Sequence, residues 1–88
     1  MNLDILNKVT EQVENCYNKY SQYSGRHEFI AILWEEFEEL KTEIFKKEPD
    51  FKRIESEIID CLTVLFKGYN DIVVKKNKRW FLWQKMNY

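Results

Sequence analysis

The residues with the most chemical potential in this chain are carboxylates. Residues 35–39 read Glu-Glu-Phe-Glu-Glu, and residues 57–60 read Glu-Ile-Ile-Asp. If both stretches are helical, Glu36 and Glu39 are three residues apart, as are Glu57 and Asp60. Each pair then shares one face of its helix. Glu43 falls on the same flank as Glu36 and Glu39. Carboxylates crowded in this way repel, and a divalent cation is the least costly means of holding four of them together. An all-oxygen donor set selects Mg²⁺, Mn²⁺ or Ca²⁺ over zinc. Glutamate is also a strong helix former, so Glu-Glu-Phe-Glu-Glu alone is the ordinary make-up of a solvated helix face. The second pair, on the next helix, sets a cation site beside that plainer reading. Spacing leaves both open.

The elements that must position these pairs follow from apolar periodicity. Leu3, Leu6, Val9, Val13, Cys16, Tyr17 and Tyr20 recur at steps of three and four, which predicts a helix over about residues 3–21. Residues 21–25, Ser-Gln-Tyr-Ser-Gly, read as a loop. A second helix starts near Arg26 with the stripe Ile30, Leu33, Phe37, Leu40 and Ile44, and stops before Glu48-Pro49-Asp50. Pro49 or Asp50 opens a third helix, since proline suits a first turn and aspartate caps free N–H groups. Its stripe is Phe51, Ile54, Ile58, Leu62, Leu65, Tyr69 and Ile72, with a kink expected at Gly68. Lys75–Tyr88 is expected to form a short last helix or an arm. The expected fold is all-α: one domain spanning residues 1–88, an antiparallel bundle of three main helices plus that C-terminal piece. A short connection makes the second and third helices antiparallel neighbours, so their carboxylate pairs can face each other. One difficulty stands. Asp60 lies nearly opposite the Ile58/Leu65 stripe and reaches a shared ion only if the groove wraps around that side, for instance with help from a second subunit.

Composition narrows the class. The chain has 88 residues, 44% hydrophobic and 33% charged, with two glycines and one proline. That is a globular balance with too few chain breakers for a small β-barrel. No run of 18 apolar residues predicts a membrane span. The N-terminal Met-Asn-Leu-Asp-Ile-Leu stretch carries Asp4 and lacks the long apolar core of a signal peptide. Two cysteines, Cys16 and Cys61, are too few for a disulfide framework and suit reduced thiols in a cytoplasmic protein. The net charge of −1 hides a segregation. Residues 28–60 hold eleven acidic and five basic residues, net −6, whereas residues 61–88 hold one acidic and six basic, net +5. Such a chain can bind a metal–phosphate complex, or can simply match its own helices electrostatically. A domain this small, with wide apolar stripes and Trp80, Phe81, Trp83 and Met86 near its end, is expected to self-associate.

The order Glu-Glu-x-x-Glu, 17 intervening residues and Glu-x-x-Asp resembles the signature of the MazG-like all-α nucleoside triphosphate pyrophosphohydrolases. Here it is Glu35, Glu36 and Glu39, then Glu57 and Asp60. The flanking His-Glu-Phe-Ile-Ala-Ile-Leu-Trp and Glu-Ile-Ile-Asp-Cys-Leu stretches resemble short phage and bacterial members. Lys75-Lys76-Asn77-Lys78-Arg79 is loosely similar to their basic motif, with compressed spacing. The resemblance is strongest over residues 27–62. It implies a helical dimer or tetramer that hydrolyses a (deoxy)nucleoside triphosphate to monophosphate and pyrophosphate with Mg²⁺, or Mn²⁺ in its place. Carried over, it makes Glu36, Glu39, Glu57 and Asp60 metal ligands and puts Glu35 near the attacking water. Lys75, Lys76 and Arg79 would then hold phosphate oxygens, and Asn77 phosphate or sugar.

Other residues point less sharply. One histidine, His27, and two distant cysteines do not make a zinc site. His27 is expected to cap or pack the start of the second helix. Trp34 suits a subunit contact better than base stacking. Trp80 and Trp83 beside Lys75–Arg79 are similar to a basic–aromatic patch for single-stranded nucleic acid, though one such patch is thin support. The remaining alternative is a non-catalytic helical interaction module.

Overall fold

The computed structural model describes residues 3–74. They form α1 (Asp4–Lys19), α2 (Arg26–Ile44) and α3 (Phe51–Gly68), and α3 continues directly into a π-helical turn, Tyr69–Val74. No strand occurs among the described residues. The all-α expectation holds, and the helix limits agree with the predicted ones to within a few residues. The expected C-terminal helix or arm lies outside the described residues.

Local chemistry sets the ends. The carboxylate of Asp50 accepts from the backbone N–H of Lys52 (3.0 Å) and Arg53 (3.4 Å), the cap predicted for α3. Before α2, the Glu28 carboxylate reaches back to Ser24, accepting from its N–H at 3.3 Å and its hydroxyl at 3.1 Å. His27 is exposed in that first turn and does not pack there as expected. The break expected at Gly68 appears as the switch from α to π winding.

Side-chain pairs fix the helix directions. Lys8 bonds Glu55, Gln12 bonds Asp60 and Tyr17 bonds Asp71, so partners advance together and α1 runs parallel to α3. Glu43 pairs with Arg53 while Phe29 lies on Gly68, so α2 runs antiparallel to α3. The bundle is up–down–up with α3 packed against both neighbours.

The stripes fall only partly where periodicity put them: that of α1 turns inward, with Val9 buried and Val13, Cys16 and Tyr17 half-buried, while those of α2 and α3 are rotated outward in part. Among the described residues the buried apolar side chains are Val9, Ile59 and Val64. Phe51 is 80% exposed, Phe37 50% and Leu65 43%, and Ile30, Ile44, Ile58 and Tyr69 are also exposed. The inward side of α2 is instead Phe29, Ile32, Leu33, Glu36, Leu40 and Glu43, all half-buried, and that of α3 includes Ile59, Thr63, Val64 and Lys67. Part of the α2 and α3 stripes (Ile30, Phe37, Ile44, Phe51, Ile58, Leu65 and Tyr69) therefore faces away from the chain's own interior, and carboxylates line part of the α2–α3 seam.

Candidate metal centre

The seam brings both carboxylate pairs together. One ligand oxygen from each of Glu36, Glu39, Glu57 and Asp60 lies within 4.8 Å of the others. Glu36 and Glu39 come from the middle of α2, and Glu57 and Asp60 from the antiparallel α3 across the seam. Asp60 needs no second subunit to reach the cluster. The Ile58/Leu65 stripe points outward, so the side opposite it is the inner one. α1 contributes as well: Gln12 Nε2 donates to Asp60 Oδ1 at 2.7 Å, which orients that carboxylate.

The cluster is electrostatically strained. Burial, then the charges of Glu39, Asp60 and Glu57, push the Glu36 carboxyl up to about 7. Burial and the neighbouring carboxylates also raise Glu57. Glu36 Oε2 and Glu57 Oε2 are buried with no hydrogen-bond partner. Buried acceptors left unpaired beside like charges are what a cation would satisfy, and hard oxygen donors fit Mg²⁺. Glu39 is the exposed corner, open to solvent. Glu43, on the same flank, stays out of the quartet: its Oε1 accepts from Lys46 at 2.8 Å and faces Arg53 at 4.0 Å. The Cys61 thiol is also pushed up, by burial and then by Glu36, which leaves it a poor nucleophile.

A cavity of about 690 Å³ adjoins the quartet. Glu35 and Glu36 form one part of its wall, Ile32 and Lys67 another, and Tyr20 and Tyr23 from the α1–α2 loop close it. The volume is in the range of small-molecule sites. Glu35 thus does not join the quartet but faces the same space as Glu36. Two functional candidates that sequence reasoning missed are Lys67 and Asp71, which are 3% and 6% exposed. Their spacing of four on the helix was the available signal. Lys75, Lys76, Asn77, Arg79, Trp80 and Trp83 lie outside the described residues. Trp34 is 62% exposed on the outer face of α2.

In comparisons with known proteins, no family model matches this chain, and neither a curated protein nor a solved structure matches it. The MazG-like resemblance therefore rests on the motif residues alone.

Proposed function

We propose that this chain hydrolyses a (deoxy)nucleoside triphosphate to monophosphate and pyrophosphate, with Mg²⁺ or Mn²⁺ held by Glu36, Glu39, Glu57 and Asp60. The observation that carries the reading is the convergence of those four carboxylates within 4.8 Å, with buried oxygens of Glu36 and Glu57 unpaired. Held there, the cation supplies charge neutralisation at phosphate and acidifies a water for attack. Glu35, beside Glu36 on the cavity wall, is placed to orient that water and take its proton. By the resemblance, Lys75, Lys76 and Arg79 hold phosphate oxygens and Asn77 bonds phosphate or sugar. Lys67 is buried, and its ammonium is bonded to Asp71 and to the Ser21 carbonyl, so its charge is already matched within the fold.

We also propose that the active species is a homodimer or homotetramer. An apolar groove between α2 and α3 is lined by exposed Ile30, Trp34, Phe37 and Leu65 and floored by half-buried Leu33, Leu40 and Cys61. Apolar surface gathered in this way supports burial against a second copy. No helix among the described residues is long and apolar enough to cross a membrane. Free thiols at Cys16 and Cys61 suit a cytoplasmic setting.

The deciding experiment is a panel of canonical and modified nucleoside triphosphates with Mg²⁺, read for monophosphate and pyrophosphate. Turnover by the wild type that is lost in E36Q and D60N supports the reading. Metal binding without turnover across the panel makes the protein a non-catalytic helical module, and orthophosphate as the first product rejects the reaction outright.

A further inference from the structure

Away from the quartet, the bundle buries an ion pair. Lys67 and Asp71, four residues apart, meet at 3.2 Å with side chains 4% and 0% exposed. Taking two charges out of water is costly, and an apolar pair of similar volume often serves stability equally well. What the charges do here is grip one loop. Lys67 Nζ donates to the Ser21 carbonyl at 3.0 Å and lies 3.6 Å from the Tyr23 ring centre. Asp71 Oδ2 accepts from the Tyr23 backbone N–H at 3.0 Å. Asp71 Oδ1 accepts from the Tyr17 hydroxyl at 2.5 Å, and Asn70 Nδ2 donates to that same hydroxyl at 2.8 Å. Two of the bonds go to loop backbone, so they fix the path of the chain itself. The Tyr23 ring is held a second time by stacking on Phe29, with centroids 5.7 Å apart.

That loop supplies Tyr20 and Tyr23 to the cavity beside Glu35 and Glu36. The π-helical turn puts Asp71 under it, and π turns inserted at the end of an α-helix recur at functional sites. We propose that Lys67 and Asp71 are a positioning pair that fixes the Tyr20–Tyr23 wall of the cavity, shaping it for the non-phosphate end of a triphosphate whose phosphates meet the quartet. The ligand class rests on the proposed function above; the positioning role rests on the hydrogen bonds alone.

Asp71 is not on the cavity wall but its partner Lys67 is, so D71N can reach a ligand through the loop or through Lys67, and the Tyr23 amide is the readout that reports the loop alone. K67M/D71N removes both charges together and guards against loss of fold from a single unpaired charge. Both variants are compared with wild type by amide exchange of Tyr23, by the Mg²⁺-induced rise in Tm, and by kcat and KM for the best triphosphate of the panel. The expected result is a cooperative melt with the Mg²⁺ response kept, and Tyr23 amide exchange at least about tenfold faster while mid-helix amides of α2 and α3 are unchanged. KM should rise about tenfold with kcat within about threefold of wild type. Unchanged Tyr23 exchange, or equal acceleration of every amide, overturns the positioning role. If the wild type turns over no nucleotide, the proposed function fails, while Tyr23 exchange still decides whether the pair holds the loop.

Discussion

The Phe29 ring lies directly on Gly68, so close that a Cβ at residue 68 would overlap Cε1, Cζ and Cδ1 of the ring. This contact pins the first turn of α2 to the last turn of α3, at the end of the bundle where the π turn and the α1–α2 loop meet. Glycine in a helix normally costs about 1 kcal/mol against alanine, so Gly68→Ala in isolation should stabilise. Here the added methyl must displace a ring that Tyr23 stacks against. We expect Gly68→Ala to destabilise by about 1–3 kcal/mol, the usual cost of overpacking, at about 4–8 °C of Tm per kcal/mol. In a Phe29→Ala background the same substitution should be neutral or stabilising. Thermal melts of the four variants check this, and a destabilisation that persists without Phe29 would refute the contact's role.

The Phe29–Gly68 contact also marks the limit of what periodicity can reveal. Helix limits and the Asp50 cap were legible because they depend on neighbours in sequence. So was the pairing of Glu36 and Glu39 with Glu57 and Asp60, because a short connection between two helices leaves few ways to pack them. Which face turns inward was legible for α1, where Val9 is buried, but only partly for α2 and α3. Steps of three and four identify the most apolar side, and assigning that side to the chain's own interior presumes a self-sufficient monomer. Ile30, Phe37, Ile58 and Leu65 break that presumption. Lys67 and Asp71 were hidden for a related reason: a charged residue reads as solvated until its partners, Ser21 and Tyr23 from a distant loop, are known.

Removing one member of the quartet separates metal binding from folding. Four carboxylates without a counter-ion repel, so Mg²⁺ should raise the Tm of the wild type. Glu39→Gln and Asp60→Asn should remove most of that rise. Glu36→Gln should in addition raise the Tm without metal, because it deletes the carboxylate whose charged form is least favoured. Differential scanning fluorimetry with and without Mg²⁺ reads both effects. An equal Mg²⁺ response in wild type and all three variants would place the metal elsewhere.

The same crowding sets a pH dependence. Glu36 titrates at about 7 in the folded chain against an ordinary 4.5. Between these values the folded state keeps a proton that the unfolded state has released, so stability without metal falls as pH rises through that window and is level above it. Glu57, raised by the same causes, adds to the fall. Asp71 is held low, by bonds from Tyr17, Tyr23 and Lys67 that outweigh its burial, and works in the opposite sense. Its contribution is lost only as pH drops below the ordinary aspartate range. Maximum stability without metal is therefore expected near pH 5, with a loss on the order of 1–2 kcal/mol by pH 8 after allowing for solvent screening. Cation binding requires the ionised carboxylates, so the Mg²⁺-induced rise in Tm should grow over the same interval. Melts from pH 4.5 to 8.5 test this; in Glu36→Gln most of the slope should vanish.

The outward apolar stripes predict self-association. Trp34 and Phe37 stand exposed on one groove, with ring centroids 6.2 Å apart. Trp34→Glu or Phe37→Glu should shift the protein toward monomer and cut the apparent Tm, because each places a charge at a surface that a partner would otherwise dry. Light scattering across a dilution series measures this directly. Wild type sedimenting as a 10.9 kDa monomer at micromolar concentration would reject the interface.

Isotope labelling tests which bond the proposed hydrolysis would break. Glu36 belongs both to the quartet and to the cavity wall, with Glu35 beside it on that wall. Under the proposed function, a nucleoside triphosphate whose organic end filled the cavity would present its first phosphate to the quartet, and water oriented by Glu35 would approach the α-phosphorus. Attack at α breaks the bond to the bridging oxygen of the departing pyrophosphate and puts the new oxygen on the monophosphate. Attack at β gives the same two products but leaves the new oxygen on pyrophosphate. Hydrolysis in ¹⁸O-water should thus label the monophosphate alone, read by mass spectrometry. Glu35→Gln should lower kcat by about 10²–10⁴-fold, the usual contribution of a positioned general base, while keeping the Mg²⁺ response because Glu35 is not a ligand. Label in pyrophosphate would turn the substrate around in the site, and an unchanged kcat in Glu35→Gln would take that residue out of the chemistry.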